Sequence, residues 1–255
     1  MKSDKNLFIC DADSILYSTS WSFKDKSLEE AIEGMDNFID QIADLANSDA
    51  TLLCLTKGPN WRASIAKSKP YKGNRKYETP IHYLELKAHM IEKYKPWIQP
   101  GFEADDLIFI AREHFKNQYN KIILGINDKD CLQYPGIYLE YKKMQFTILK
   151  ESDASLNFWT QMIVGDPADN IGGLEGAGPK FAEKLFKNKD YKEYYILVFN
   201  EYIKKYGEKE GIVKFYESYM LLKLLESREE AGIEESSIPM PLEVNYGLKR
   251  VYSRD

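Results

Sequence analysis

Three short apolar runs constrain the fold more than anything else in the chain. Leu7-Phe8-Ile9-Cys10 stops at Asp11-Ala12-Asp13, Leu52-Leu53-Cys54-Leu55 stops at Thr56-Lys57, and the run 121–126 stops at Asn127-Asp128-Lys129-Asp130. None alternates between apolar and polar residues, so each reads as a strand buried on both faces, the pattern of a parallel sheet. Between the first two, Ser27 and Glu30 form a capping box. Behind it Leu28, Ala31, Ile32, Met35, Phe38, Ile39, Ile42 and Leu45 recur at helical spacing. Strand, helix, strand is a right-handed βαβ unit, and the fold class is α/β with a mostly parallel sheet.

In such a sheet ligands bind at the carboxyl ends of the strands. Asp11 with Asp13, and Asp128 with Asp130, follow two of the strands and should share one edge. Glu103, Asp105 and Asp106 open a further apolar helical run (Leu107, Ile110, Ala111, Phe115), and Asp166 and Asp169 come later. Acids at a helix start also suit the macrodipole on their own. Gathered on one edge they would repel strongly if bare. Hard divalent cations such as Mg²⁺ or Mn²⁺ relieve that repulsion through oxygen ligands. Two ions about 4 Å apart are a common arrangement for phosphodiester hydrolysis.

A polyanionic substrate also needs positive charge. Between residues 57 and 77, Lys57, Arg62, Lys67, Lys69, Lys72, Arg75 and Lys76 are interleaved with Trp61, Tyr71 and Tyr77, and no acid falls among them. If that stretch is helical, Lys72 and Arg75 share a face and can clamp a phosphate. The aromatic rings suit stacking on unpaired bases. A helical pattern over residues 83–91 follows, residues 137–149 read as one or two further strands, and Phe158 to Val164 as a short helix running into Gly165-Asp166. The glycine-rich stretch from Asn170 to Lys180 precedes another helix, with Pro179 suited to its first turn. Its Gly176 and Gly178 offer free N–H groups to phosphate without reading sequence. The chain from Tyr191 onward is mostly helical, up to Pro239 and Pro241.

At 255 residues the chain can bury one sizeable core with an appended lobe. A net charge of −5 is no bar to nucleic acid when acids concentrate at a metal cluster and bases sit elsewhere. Cys10, Cys54 and Cys131 form no C-x-x-C and no disulfide framework. The N-terminus lacks a signal peptide and no apolar run is long enough for a bilayer, so the expected location is the cytoplasm.

Five stretches together resemble the 5′-nuclease family of flap endonucleases and 5′→3′ exonucleases, in particular its compact bacteriophage members. They are Ile9 to Asp13, Tyr71-Lys72-Gly73-Asn74-Arg75, Glu103-Ala104-Asp105-Asp106, Asp128-Lys129-Asp130, and Gly165-Asp166 through Asp169-Asn170 into Gly176 to Lys180. Their order and spacing agree with the family over roughly residues 7–190. The resemblance implies a PIN-like core over residues 1–150 with helices on both sheet faces, and a basic helical arch or clamp at about 57–95. It implies a helical lobe over 151–255, with a DNA-gripping helix–hairpin–helix at about 159–190 that holds K⁺ through backbone carbonyls. It implies that Asp11, Glu103, Asp105 and Asp106 serve one Mg²⁺ or Mn²⁺ or bridge both, that Asp128, Asp130, Asp166 and Asp169 serve the second, and that Asp13 is a ligand or supports one. Lys72 and Arg75 are the expected catalytic cations. Tyr71, Arg62, Lys76, Gly176, Gly178 and Lys180 are the expected DNA contacts. The implied substrate is DNA with 5′ ends or flaps, or an RNA–DNA hybrid as in primer removal, handled by a monomer with no membrane partner.

The chain departs from the family at three places. No acid follows the second strand, where Thr56 and Lys57 stand; Gln161 stands where many members carry a lysine; and Pro179 replaces a possible N–H donor. Two rival readings use the same residues. A haloacid-dehalogenase-type phosphatase would want Asp11-Ala12-Asp13, Thr56 and the Gly165 to Asp169 stretch. A non-catalytic flap or duplex DNA-binding protein would explain the missing acid.

Overall fold

The computed structural model describes residues 3–75 and 78–243. The chain opens with β1 (Asn6–Asp11), α1 (Ala12–Ser22), α2 (Leu28–Leu45) and β2 (Ala50–Cys54), followed by α3 (Arg62–Ile65), α4 (Tyr83–Tyr94) and α5 (Ala104–Phe115). Strands β3 (Lys121–Gly125), β4 (Gly136–Glu140) and β5 (Gln145–Leu149) come next. Then α6 (Glu151–Val164), the short β6 (Gly165–Asp166) and β7 (Ile171–Gly172), and α7 (Pro179–Phe186) form a helix–hairpin–helix succession. The described chain ends with α8 (Tyr194–Tyr206), α9 (Glu208–Leu222), α10 (Arg228–Ala231) and β8 (Leu242–Glu243).

The six-stranded sheet has the order β5-β4-β3-β1-β2-β8. Strands β1 to β4 run parallel; β5 and β8 pair antiparallel at the two edges. The mostly parallel sheet with helices on both faces is therefore borne out. Its alternation explains the unbroken apolar runs. Leu7 and Ile9 pack into one core with Leu107, Ile110 and Ala111 of α5. Phe8 and Cys10 pack into the other with Ile15, Met35, Ile39 and Met90 of α1, α2 and α4. Leu7, Phe8 and Ile9 are fully buried, each stabilising the sheet by about 1.5–3 kcal/mol. A third core, with Phe158, Met162, Val198, Tyr202 and Phe215, lies among α6 to α9.

The chain leaves β1 for α2 and β2 on one side and returns through α5 to β3 on the other, so the strand order reverses at β1. The carboxyl ends of β1 and β3 flank that switch point, where an open α/β sheet forms a crevice.

Two local features differ from expectation. The segment after β1 is already helical: Asp11 ends the strand and caps α1, its Oδ1 accepting from Asp13 N at 2.9 Å and Ser14 N at 3.5 Å. The basic stretch is a short helix followed by turns. No helix occurs in the described residues of 66–82, and Lys72 itself sits in the left-handed region at φ 55. Lys72 and Arg75 therefore do not share a helix face. The chain there follows contacts made to other elements.

Candidate active site

One local device recurs at the acidic edge. Asp11 Oδ1 accepts from the amide of Asp13 at 2.9 Å, Asp128 Oδ1 from Asp130 at 2.9 Å, and Asp166 Oδ1 from Ala168 at 2.8 Å. Each carboxylate organises the turn that carries the next acid, which is why the pairs read so clearly in sequence. Asp11 ends β1 and Asp128 follows β3, two adjacent parallel strands. Glu103 and Asp105 lie at the N-terminus of α5, where the helix dipole favours negative charge. Asp166 ends β6, and Asp169 lies in the turn between β6 and β7. Glu103, Asp105, Asp128, Asp130, Asp166 and Asp169 line one narrow cleft.

The electrostatics record their mutual proximity. Burial, then Asp128, raises the Asp11 carboxyl. Burial, then Asp11, pushes Asp13 up to about 7, although the Thr56 amide donates to it at 3.1 Å. Asp105 is raised well above the ordinary range by burial, then by Asp11 and Glu103. Burial, then Asp128 and Asp166, lifts Asp130 to about 6; burial, then Asp169, raises Asp166. Such a set of desolvated carboxylates holds protons it would release to a hard divalent cation. All the candidate donors are oxygens, the set that suits Mg²⁺ or Mn²⁺. Among the described residues, however, no three acids converge into a ready-made cage.

Two of the acids are turned instead onto cations of the basic segment. Lys72 Nζ contacts Glu103 and lies 3.5 Å from Asp169, and Arg75 pairs with Asp169. The Tyr71 hydroxyl lies 2.7 Å from Glu103 Oε2 and 2.9 Å from Asp169 Oδ2, with one proton to share between the two acceptors. Burial lowers the Lys72 ammonium pKa, but Glu103 and Asp169 outweigh it and the net shift is upward. The backbone follows: Lys72 N donates to Asp169 O at 2.9 Å, Asn74 Nδ2 to Pro167 O at 2.8 Å, and Asn170 Nδ2 to Pro70 O at 2.8 Å. On the other side Glu217 of α9 accepts from the amides of Lys67 and Ser68 at 2.7 and 2.6 Å. The basic segment is thus strapped to the turn that carries Asp166 and Asp169. Lys76 and Tyr77 lie outside the described residues.

Two of the expected site residues are buried and turn to each other. Arg62, expected at DNA, is 1% exposed, and Asp106, expected at a metal, is 0% exposed. They meet in a two-pronged pair at 2.6 and 2.8 Å. Burial works against the guanidinium charge, but Asp106 more than restores it and the net shift is upward.

The glycines Gly176 and Gly178 lie on the approach to α7, with Gly178 as its N-cap, Pro179 in its first turn and Lys180 exposed. Gly165 and Gly173 hold the hairpin shut. Gly165 has φ +79, and a Cβ there would lie 2.4 Å from Gly173 N. Thr56, the residue in place of the missing acid, is fully engaged. Its Oγ1 accepts from Ala104 N at 2.9 Å, capping α5 from a different element, and its carbonyl accepts from Lys87 at 3.3 Å. Sequence reasoning also missed Gln133, whose amide reaches Asp130 O at 3.1 Å, Gln161 Oε1 at 3.2 Å and Leu222 O at 2.8 Å. No local pattern marks these residues, because apart from Asp130 O their partners are remote in the chain.

No family model matches the chain. It is 28% identical over 163 residues to a 5′-3′ exonuclease of Aquifex aeolicus, covering 60% of this chain and 47% of the relative. The chain spans about half or less of the length of the curated relatives it matches. Among solved structures, bacteriophage T5 5′-exonuclease with bound zinc superposes with a TM-score of 0.63 at 19% identity, over 86% of both chains. A bacteriophage T5 flap endonuclease complex with DNA and metal ions superposes with a TM-score of 0.61 at 17% identity, over 86% of this chain and 99% of that one. By sequence and fold the chain is similar to the 5′-nuclease family, including its phage members. Among the described residues no helix is long and apolar enough to cross a membrane.

Proposed function

We propose that the chain is a metal-dependent 5′ nuclease that hydrolyses DNA phosphodiesters at or near 5′ ends and flaps, with RNA–DNA hybrids as a further substrate. The observation that carries this reading is the meeting of Glu103, Asp105, Asp128, Asp130, Asp166 and Asp169 in one cleft with Tyr71, Lys72 and Arg75, with Asp11 of β1 close enough to raise Asp105. Asp11, Glu103 and Asp105 would hold one Mg²⁺ or Mn²⁺, and Asp128, Asp130, Asp166 and Asp169 the other. When bound, the two ions would supply an activated water and neutralise the leaving oxygen. Lys72 and Arg75 would then bind the scissile phosphate and stabilise its developing charge. Tyr71, a neutral donor whose pKa is raised by burial, then by Glu103 and Asp169, would hold those two carboxylates in register. The backbone N–H groups around Gly176 and Gly178, with Lys180, would grip duplex phosphates independently of sequence, and hairpin carbonyls would hold K⁺. The core over residues 1–150 would do the chemistry and the lobe from 151 the gripping.

Against the phosphatase reading, Thr56 Oγ1 already accepts from the first amide of α5. The same residue favours a second reading, a non-catalytic flap-binding protein, since an uncharged group stands where the family has an acid. Incubating the protein with 5′-flap, nicked, linear and single-stranded DNA labelled at the 3′ end, and with an aryl phosphate, separates the three. The nuclease reading predicts metal-dependent DNA products and an inert aryl phosphate. Aryl phosphate hydrolysis indifferent to competing DNA would overturn it.

A further inference from the structure

Arg62 and Asp106 form a sealed, fully satisfied polar unit beside the acidic cleft. A guanidinium has five N–H donors. Here Nε meets Leu221 O at 3.0 Å. One terminal nitrogen meets Asp106 Oδ2 at 2.6 Å and Glu103 Oε2 at 3.4 Å, the other Asp106 Oδ1 at 2.8 Å and Lys223 O at 2.9 Å. Asp106 Oδ1 also accepts from Leu225 N at 3.0 Å. Every guanidinium donor is spent, so none is left for a phosphate. A cation that took Asp106 would strand a buried guanidinium, which costs far more than breaking an exposed pair. Asp106 lies three residues after Glu103, on the same side of the start of α5. Arg62 reaches past it to Glu103 and also grips Leu221 O in the last turn of α9, where a positive charge is favoured.

We propose that Arg62 and Asp106 are positioning residues that hold Glu103 at the edge of the metal site and seat the end of α9 against α5, with neither touching metal or DNA. The proposal rests on the metal-dependent reading given above. Its physical content is that Arg62 acts on metal affinity through Glu103.

Titration with Mn²⁺ by calorimetry tests it, using the wild type, Asp106→Asn, Arg62→Lys, Glu103→Gln and the double variant Arg62→Lys/Glu103→Gln. The proposal predicts that Asp106→Asn and Arg62→Lys bind as many ions as the wild type, about tenfold more weakly. It also predicts that the double variant binds no worse than Glu103→Gln alone. Disappearance of one ion in Asp106→Asn would make Asp106 a ligand and overturn the proposal. Additive losses in the double variant would equally overturn it, since a merely structural role gives additivity. If Asp106→Asn does not fold, the two Arg62→Lys proteins decide. A wild type that binds no Mn²⁺ would defeat the metal-dependent reading itself, visibly in the unaltered protein, and this proposal with it.

Discussion

Glu103 and Asp169 are joined through one hydroxyl, that of Tyr71, which lies 2.7 Å from the first and 2.9 Å from the second. One residue comes from the start of α5 and the other from the β6–β7 turn. The bridge therefore links the start of α5 to the β6–β7 turn across the cleft, alongside the Lys72 ammonium, which contacts the same two acids. Tyr71→Phe removes that link while keeping the ring. A hydrogen bond to a charged group is worth about 1.5–3 kcal/mol, and the site should loosen accordingly. We expect a loss of about tenfold or more in single-turnover cleavage, with the wild-type fold retained by circular dichroism.

Lys72→Ala separates transition-state stabilisation from grip. If Lys72 meets the scissile phosphate, turnover should fall about 100-fold, while affinity for duplex DNA measured by anisotropy changes little. Equal losses in both would reduce Lys72 to a binding contact.

Asp13 and Asp130 give the metal-free protein a definite pH dependence. Their pKa values are raised to about 7 and about 6, in each case by burial first and then by a neighbouring aspartate. Below the unfolded value of about 4 both states are protonated. Between that value and the raised one the folded protein binds more protons, so stability falls as pH rises, and the loss is complete above about 7. Metal binding opposes this by stabilising the ionised forms. Melting temperatures without metal should drop from pH 5 to pH 8, and the increase caused by Mg²⁺ should be larger at pH 8. An increase independent of pH would contradict the site.

The hairpin glycines should divide sharply. Gly165 and Gly176 both have φ +79, but a Cβ at Gly165 would strike backbone atoms of Ile171 and Gly173, while Gly176 has nothing within 4 Å. Gly176→Ala should cost about 1 kcal/mol in urea unfolding, from the left-handed backbone alone. Gly165→Ala should cost several times that and displace Asp166.

What was legible in the sequence was whatever depends on near neighbours. The apolar runs gave the parallel strands, because burial on both faces leaves no alternation. The aspartate pairs gave the acidic edge, because each acid organises its own turn. Helix α1 has no boundary signal of its own, because Asp11 serves at once as strand end and helix cap and leaves no loop to mark the change. Between the two helices of the basic segment, α3 and α4, the path of the chain is fixed by Asn74, Asn170 and Glu217, whose partners are far along the chain. A charge run does not reveal which of its members is buried, and Arg62 is that member. Its burial depends on Asp106 and on carbonyls at the end of α9.

The most direct measurement is cleavage of a 3′-labelled 5′-flap DNA by the purified protein and by Asp128→Asn, in Mg²⁺ and in EDTA. The proposed function predicts products near the flap junction from the wild type in Mg²⁺ alone, and none from Asp128→Asn although it still binds the flap. Tight flap binding by the wild type with no cleavage in Mg²⁺ or Mn²⁺ would contradict it, and would make the uncharged Thr56 the mark of a protein that binds flaps without cutting them.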